Sequence, residues 1–180
     1  MNTSSLFDKN VSGKSTQNGI GLIEILIAVL LISVGFLAAA RMQVEGMRFS
    51  QSAYYQSQAY FLASDMIDRM RSNVRGVADG FYFDQETAAD AENPQCGVNA
   101  CQAQAIARQD IYDWSAALHP MTTGSGFVAA LPGTSTKPAK GSIENVGNGV
   151  IAVIMSWNEV IGGSDSEQTF RIQFAMEENQ

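Results

Sequence analysis

Residues 20–40 form an apolar run of twenty-one positions that holds a single charge, Glu24, close to its start. At about 1.5 Å per residue a helix over this run is roughly 30 Å long, the thickness of a bilayer's hydrocarbon. The pattern then changes without a break. No proline occurs over residues 41–75, and apolar residues recur at Ala59, Leu62, Ala63, Met66, Met70 and Val74, the three-and-four spacing of a one-sided helix. Asp65 with Arg69, and Asp68 with Arg71, are spaced to pair on the outer face, each pair contributing only a few tenths of a kcal/mol. Gly76 is the expected stop, because glycine takes the left-handed conformation that closes many helices. The pattern predicts one helix over residues 20–75, roughly 80 Å long. Its first half is apolar all round, its second half on one side, and Gly35 and Gly46 are soft points within it.

Beyond Gly76 the periodicity is lost. Residues 76–95 read as a loop in which Asp79, Asp84, Glu86, Asp90 and Glu92 surround the triplet Phe81, Tyr82 and Phe83, an apolar plug for a sheet. Helical spacing returns over residues 102–118, through Ala103, Ile106, Ala107, Ile111, Trp114 and Leu118, and stops where His119 precedes Pro120. Trp114 reads as a core anchor. Residues 121–141 contain Gly124, Gly126, Pro132, Gly133 and Pro138 and read as loop. β structure is confined to the tail: 150–157 is rich in β-branched residues, 169–176 alternates, and 142–146 offers a further strand. Residues 162–166 are the expected loop of an antiparallel pair. The face carrying Phe170, Ile172, Phe174 and Met176 should lie on the stripe that contains Met66 and Met70. The fold class is therefore α+β, a long N-terminal helix backed by a small C-terminal antiparallel sheet.

A chain of 180 residues, 46% of them apolar, suits one membrane helix and one modest packed domain. Its net charge is −7, and −8 without the two lysines and one aspartate of residues 1–19. So acidic a chain is a poor general binder of nucleic acid or anionic lipid, and Arg69, Arg71 and Arg75 are interleaved with acids. The carboxylates of 76–95 can be read as a solvated, subunit-facing loop or as calcium ligands, although no EF-hand spacing is present. Cys96 and Cys101 are the only cysteines. On an exported domain an even pair reads as a disulfide closing a short loop. Half of a zinc site is the alternative, but the sole histidine, His119, cannot complete one, and a redox pair is more often Cys-x-x-Cys. His119 is expected at the surface or as a helix cap. One histidine and scattered acids do not make a nucleophile with an organised base, so no catalytic residue, metal or cofactor is expected.

Glu24 poses the chemical question. A carboxylate within hydrocarbon costs on the order of 2.5–3.5 kcal/mol on insertion scales, so it needs a partner. Cleavage between Gly19 and Ile20 would create an amine able to serve. The preceding polar stretch, in which Lys9 and Lys14 outnumber Asp8, is of the kind kept on the cytoplasmic side. Gly19-Ile20-Gly21-Leu22-Ile23-Glu24-Ile25-Leu26 resembles the processing site of type IV pilins and type II secretion pseudopilins, cut by a prepilin peptidase that leaves the apolar helix attached. Ile20 stands where that family most often has Phe, and Gly21 where Thr or Ser is usual. Ser57-Gln58-Ala59-Tyr60-Phe61-Leu62-Ala63-Ser64-Asp65-Met66-Ile67-Asp68-Arg69-Met70-Arg71-Ser72-Asn73 is similar to the segment after the anchor in the PilV group of minor pilins, and residues 32–37 look like that group's anchor. The likeness covers roughly the first seventy residues.

The resemblance implies a pilin fold and a non-enzymatic role. Residues 1–19 would be a cytoplasmic leader, removed after Gly19; 20–40 the transmembrane and filament-core half of the helix; 41–75 its amphipathic half; 76–180 a periplasmic, later extracellular, head. Ile20 would become N-methylated, and Glu24 would pair with the Ile20 amine of a neighbouring subunit during assembly. The implied partners are the prepilin peptidase, other minor pilins, the major pilin and a tip adhesin, with the inner membrane as the site before assembly. Pilus biogenesis, adhesion and twitching motility are the implied processes. A type II secretion pseudopilin shares the architecture. A secretory protein cut near Ala38-Ala39-Ala40 and an unprocessed anchor are further readings, and neither accounts for Glu24; a membrane-tethered enzyme is another, and one histidine with scattered acids does not supply its site.

Overall fold

A computed structural model describes residues 21–96, 100–121, 126–134, 136–161 and 164–176. The chain divides into two compact units, Met1–Val44 and Glu45–Gln180. Helix α1, Leu22–Ser72, supplies the described part of the first and the opening element of the second. Gly35 and Gly46 sit within it as helical residues, so neither expected soft point breaks the element.

In the first unit every described side chain is exposed, with Leu22 at 78% and Leu37 at 73%. The hydroxyl of Ser33 donates to the Val29 carbonyl at 2.7 Å, so this polar side chain is satisfied within the helix. The stretch is long and apolar enough to cross a membrane.

In the second unit α1 buries Ala59, Ala63, Met66, Ile67 and Met70, the stripe that its spacing predicts. The helix stops at Ser72, three residues before the expected end, and the cause is Asn73. Its backbone leaves helical geometry (φ −116°, ψ 58°) while its side-chain oxygen accepts from the Gly76 amide at 3.2 Å and caps a short helix α2, Val74–Ala78. Its amide nitrogen donates to the Tyr82 hydroxyl at 3.0 Å and the Ala103 carbonyl at 2.9 Å. An asparagine that bonds three segments at once outcompetes helix continuation.

Gly76 therefore has a different role from the one expected. It lies inside α2 and outside the left-handed region; a Cβ there would overlap the Asn73 amide nitrogen and sit 2.8 Å from its Cγ. The break also takes Val74 out of the stripe and leaves it 48% exposed.

After α2 the acidic segment is more ordered than a loop. Asp84, at φ 57°, turns the chain onto a strand edge, where its amide donates to Ile143, the Ile143 amide donates to Gln85 and the Thr87 amide donates to Gly141. Tyr82 is fully buried, and Phe81 and Phe83 pack half-buried against the same core, so the plug is real and Tyr82 is its centre. Helix α3, Ala103–Leu118, starts one residue after the expected position and buries Ala107, Ile111, Trp114 and Leu118. Trp114 is seated against Gly141, where a Cβ would lie 2.9 Å from Cε2 and closer still to the outer ring carbons.

Strands β1 (Lys140–Gly147), β2 (Val150–Ile161) and β3 (Ser164–Ala175) form one antiparallel sheet in the order β1-β2-β3. Gly147, Asn148 and Gly149, all at positive φ, make the β1–β2 turn. The β2–β3 pairing runs out to Ile161 opposite Ser164, so Ser164, Asp165 and Ser166, expected in the connecting loop, are strand residues. On the inner face Ile151, Val153 and Met155 stand beside Phe174, Ile172 and Phe170 and join the cluster of Met66 and Met70, as the alternation predicts. Tyr60 meets Phe170 edge to face at 6.1 Å, and the Arg71 guanidinium lies 5.6 Å from the Phe174 ring centre. On the outer face Arg171 bridges β2 to reach Glu144 at 2.9 Å.

Asn73→Ala removes three hydrogen bonds at a buried position, and Gly76→Ala forces overlap with the Asn73 side chain. Each should cost about 1–3 kcal/mol in denaturant unfolding of the detergent-solubilised chain. In the double variant Gly76→Ala should add much less than it does alone; strict additivity of the two losses counts against the Asn73–Gly76 contact as the reason for the glycine.

Candidate functional site

Two regions carry chemistry. The first is the exposed apolar surface of α1 around Glu24. Helical turns open on the Gly21 carbonyl, which accepts from the amides of Glu24 at 2.9 Å and Ile25 at 3.4 Å. The Glu24 side chain projects from the first turn among Leu22, Ile23, Ile25, Leu26 and Ile27, all more than half exposed. Among the described residues it has no hydrogen-bond or ion-pair partner. The expected cleavage and methylation positions, Gly19 and Ile20, lie outside the described residues. A carboxylate in the first turn of a helix is favoured by the helix dipole, but only by about 0.3–1 kcal/mol, less than hydrocarbon would cost it.

The second region is a partly buried polar chain in the head that joins α1, α2 and α3. Arg69 binds Asp65 of its own helix at 2.8 Å and reaches across to Asp110 at 3.3 Å and Asp113 at 3.1 Å of α3. The Asp65–Arg69 and Asp68–Arg71 pairs form as spaced, the second at 3.3 Å, yet Arg69 faces a neighbouring helix as well as solvent. Asp110, 8% exposed, also accepts a short hydrogen bond from Tyr82, whose hydroxyl is in turn held by Asn73. Burial pushes the Asp110 carboxyl above its ordinary value, against the pull of Tyr82 and Arg69. Burial and the bond to Asp110 raise the Tyr82 phenol far enough that it stays a donor at any physiological pH.

His119 caps α3, as its position predicts, through its amide, which donates to the Ser115 carbonyl at 2.8 Å. Its side chain is not at the surface. It is 6% exposed, with Nε2 3.2 Å from the Thr87 hydroxyl, which also accepts from the Gly141 amide at 2.9 Å. Burial lowers the imidazole's pKa, with a hydrogen bond to the Thr87 backbone working the other way. A hydroxyl that already accepts one hydrogen bond can give its proton to a neutral Nε2, which fits an uncharged ring.

Cys96 and Cys101 form a disulfide with their Cα atoms 5.5 Å apart. The Cys96 amide donates to Gln109 Oε1 at 3.1 Å, which ties the closed loop to α3. Among the described residues no three His, Cys, Asp or Glu side chains converge as metal ligands, and Glu86 reaches Lys140 at 3.4 Å instead. Spacing marks out Glu24 and the two cysteines, but it had no means of finding the Asn73–Tyr82–Asp110 chain or the separate Thr87–His119 contact, each of which joins different elements of the fold. The only local signal was a polar Asn73 at the end of an amphipathic stripe. Comparison with protein-family models, curated proteins and solved structures finds no match for this chain.

The pKa directions have opposite consequences for stability. His119, lowered in the fold, contributes stability that is full above its ordinary value near 6.5 and is lost as pH falls through it. Asp110, raised in the fold, contributes stability that is full below its ordinary range and is lost as pH rises through its folded value. Thermal unfolding midpoints should therefore drop between about pH 7 and 5, and His119→Gln should flatten that drop. Asp110→Asn should instead leave the drop and remove the acid-side gain; a His119→Gln profile parallel to the parent would show that the ring does not titrate on unfolding.

Proposed function

We propose that this chain is a minor pilin of a type IV pilus, made as a single-pass inner-membrane protein and carried into the filament after its leader is removed. One observation carries the reading: a lone carboxylate, Glu24, stands in a helix surface that is otherwise apolar, five residues into the chain that cleavage after Gly19 would leave. Further support comes from the layout, a long N-terminal helix with a small three-stranded antiparallel sheet, the arrangement that the sequence resemblance implies, and from a disulfide of the kind expected on an exported domain.

The mechanism follows from giving one helix two apolar surroundings in succession. Lipid covers it in the inner membrane; after the prepilin peptidase acts, sister helices cover it in the filament, and the surface stays out of water throughout. Glu24 meets the new Ile20 amine of a neighbour. That contact uses different patches on the two subunits, so it builds an open helix rather than a closed ring. Other minor pilins, the major pilin and a tip adhesin are the partners, and the head supplies contacts rather than catalysis. The same anchor and processing motif would serve a type II secretion pseudopilin; the PilV-like segment at residues 57–73 favours the pilus.

Mass spectrometry of the mature protein should find a chain that starts at N-methylated Ile20. Glu24→Ala should still be processed but should fall in sheared pili by about a hundredfold or more, because removing one partner of a buried ion pair costs about 3–5 kcal/mol. Normal incorporation of that variant, or a mature chain starting at Arg41, would sink the proposal. Recovery of the protein only with a secretion complex would move it to the pseudopilins.

A further inference from the structure

The stripe of α1 that buries Ala59, Ala63 and Met66 turns polar toward the end of β2, where Glu45, Arg48, Ser52 and Tyr55 follow at the same three-and-four spacing. With Glu159 of β2 they line a groove of about 390 Å³. Glu159 shares the inner face of β2 with the core residue Trp157, whereas Asn158 and Val160, which alternate with it, turn to the other face. Its side chain is only 8% exposed, and its one partner is the indole N–H of Trp157, which donates to Oε1; Oε2 has no donor among the described residues. No ion pair reaches Glu45, Arg48 or Glu159 among those residues either. A carboxylate so buried, with one neutral donor, is costly, and a cation that brings N–H groups offsets the cost.

We infer that the groove takes a lysine or arginine side chain presented by another protein, with the cationic head on Oε2 of Glu159. The charge is complementary: residues 45–180 hold sixteen Asp and Glu against eight Lys and Arg, and Arg48 is the one cation among several acids in the groove. The distribution of polarity is complementary as well. Phe49, 70% exposed, and Pro132 border the groove, and Glu159 is the most buried of its carboxylates, so a long side chain lays its methylenes on apolar walls and ends on the acid. The hydroxyls of Ser52 and Tyr55 supply neutral acceptors for the remaining N–H groups, and the Tyr55 ring a face on which a guanidinium can stack. A metal ion fits less well, because no three His, Cys, Asp or Glu side chains converge among the described residues. The site lies wholly within the unit Glu45–Gln180 and does not depend on the pilus reading.

The test uses the full isotope-labelled chain in detergent micelles and follows the indole N–H resonance of Trp157, which reports directly on Glu159. The probes are capped tripeptides, acetyl-Gly-Arg-Gly-amide, its lysine counterpart and its uncharged citrulline counterpart. The arginine and lysine peptides should shift that resonance saturably, and the citrulline peptide should bind about tenfold more weakly or less. Glu159→Gln keeps the side-chain shape and an acceptor for Trp157, so its circular dichroism should match the parent while the arginine peptide binds about tenfold more weakly. Arg48→Gln removes the groove's own cation and should leave that affinity unchanged or higher. A citrulline peptide that binds as well as the arginine one overturns the assignment, and that comparison needs no variant. Undiminished binding to Glu159→Gln, or no saturable shift from either cationic peptide, also overturns it. Saturable shifts from spermidine but from neither peptide would give the groove to a free polyamine and overturn the assignment to a protein side chain.

Discussion

A helix that is apolar on every side has no stable state in water. Residues 22–40 leave Leu, Ile, Val and Phe side chains uncovered around the whole circumference, with Glu24 as the one charge. Nothing in the described chain covers them; the run is long and apolar enough for a bilayer to do so, and on the minor-pilin proposal sister helices would do so in the filament. Internal satisfaction of the backbone, and of Ser33 through the Val29 carbonyl, makes either one acceptable. Glu24 is what distinguishes them. Hydrocarbon has nothing to offer its carboxylate, whereas on that proposal a neighbour's free terminal amine would, so the same residue that penalises the membrane state would favour assembly.

The head obeys an ordinary constraint, burial of one stripe of α1 against one face of a sheet, but it is held in place by polar groups. Asn73 stops α1, caps α2 and anchors both Tyr82 and the start of α3, and Tyr82 passes the connection on to Asp110 and Arg69. These contacts set where three helices meet, which the apolar stripe alone leaves free to slide. They also make the junction sensitive: Asn73, Tyr82 and Asp110 are buried, and each lost partner leaves another unsatisfied. The disulfide adds a second tie, through Gln109, to the same α3.

The two ends of the head's charge arrangement contrast. Arg69 gathers three carboxylates of two helices, while among the described residues no ion pair reaches Arg48, Glu159 or Asp165. Ion pairs that close within a domain contribute to its geometry.

Much of this architecture could be read from periodicity. The twenty-one-residue apolar run, the stripe from Ala59 to Met70, the helix ending before Pro120 and the alternating tail are local patterns, and local patterns follow from the geometry of helices and strands whatever the rest of the chain does. Glu24 and the cysteine pair stood out for the same reason, as exceptions to local pattern. Tertiary structure decided what depends on groups distant in sequence. Gly76 looked like a left-handed stop because glycine often is one; only the Asn73 side chain above it shows that the position needs the absence of a Cβ. The acidic segment looked like a loop because it lacks alternation, yet the open edge of β1 gives its backbone partners at Ile143 and Gly141. His119 looked superficial because it adjoins a helix end, and Thr87, brought in by that same edge pairing, buries it. Hydrophobic order along a chain sets which elements form, whereas a hydrogen bond between residues forty positions apart exists only once the fold has brought them within 3 Å.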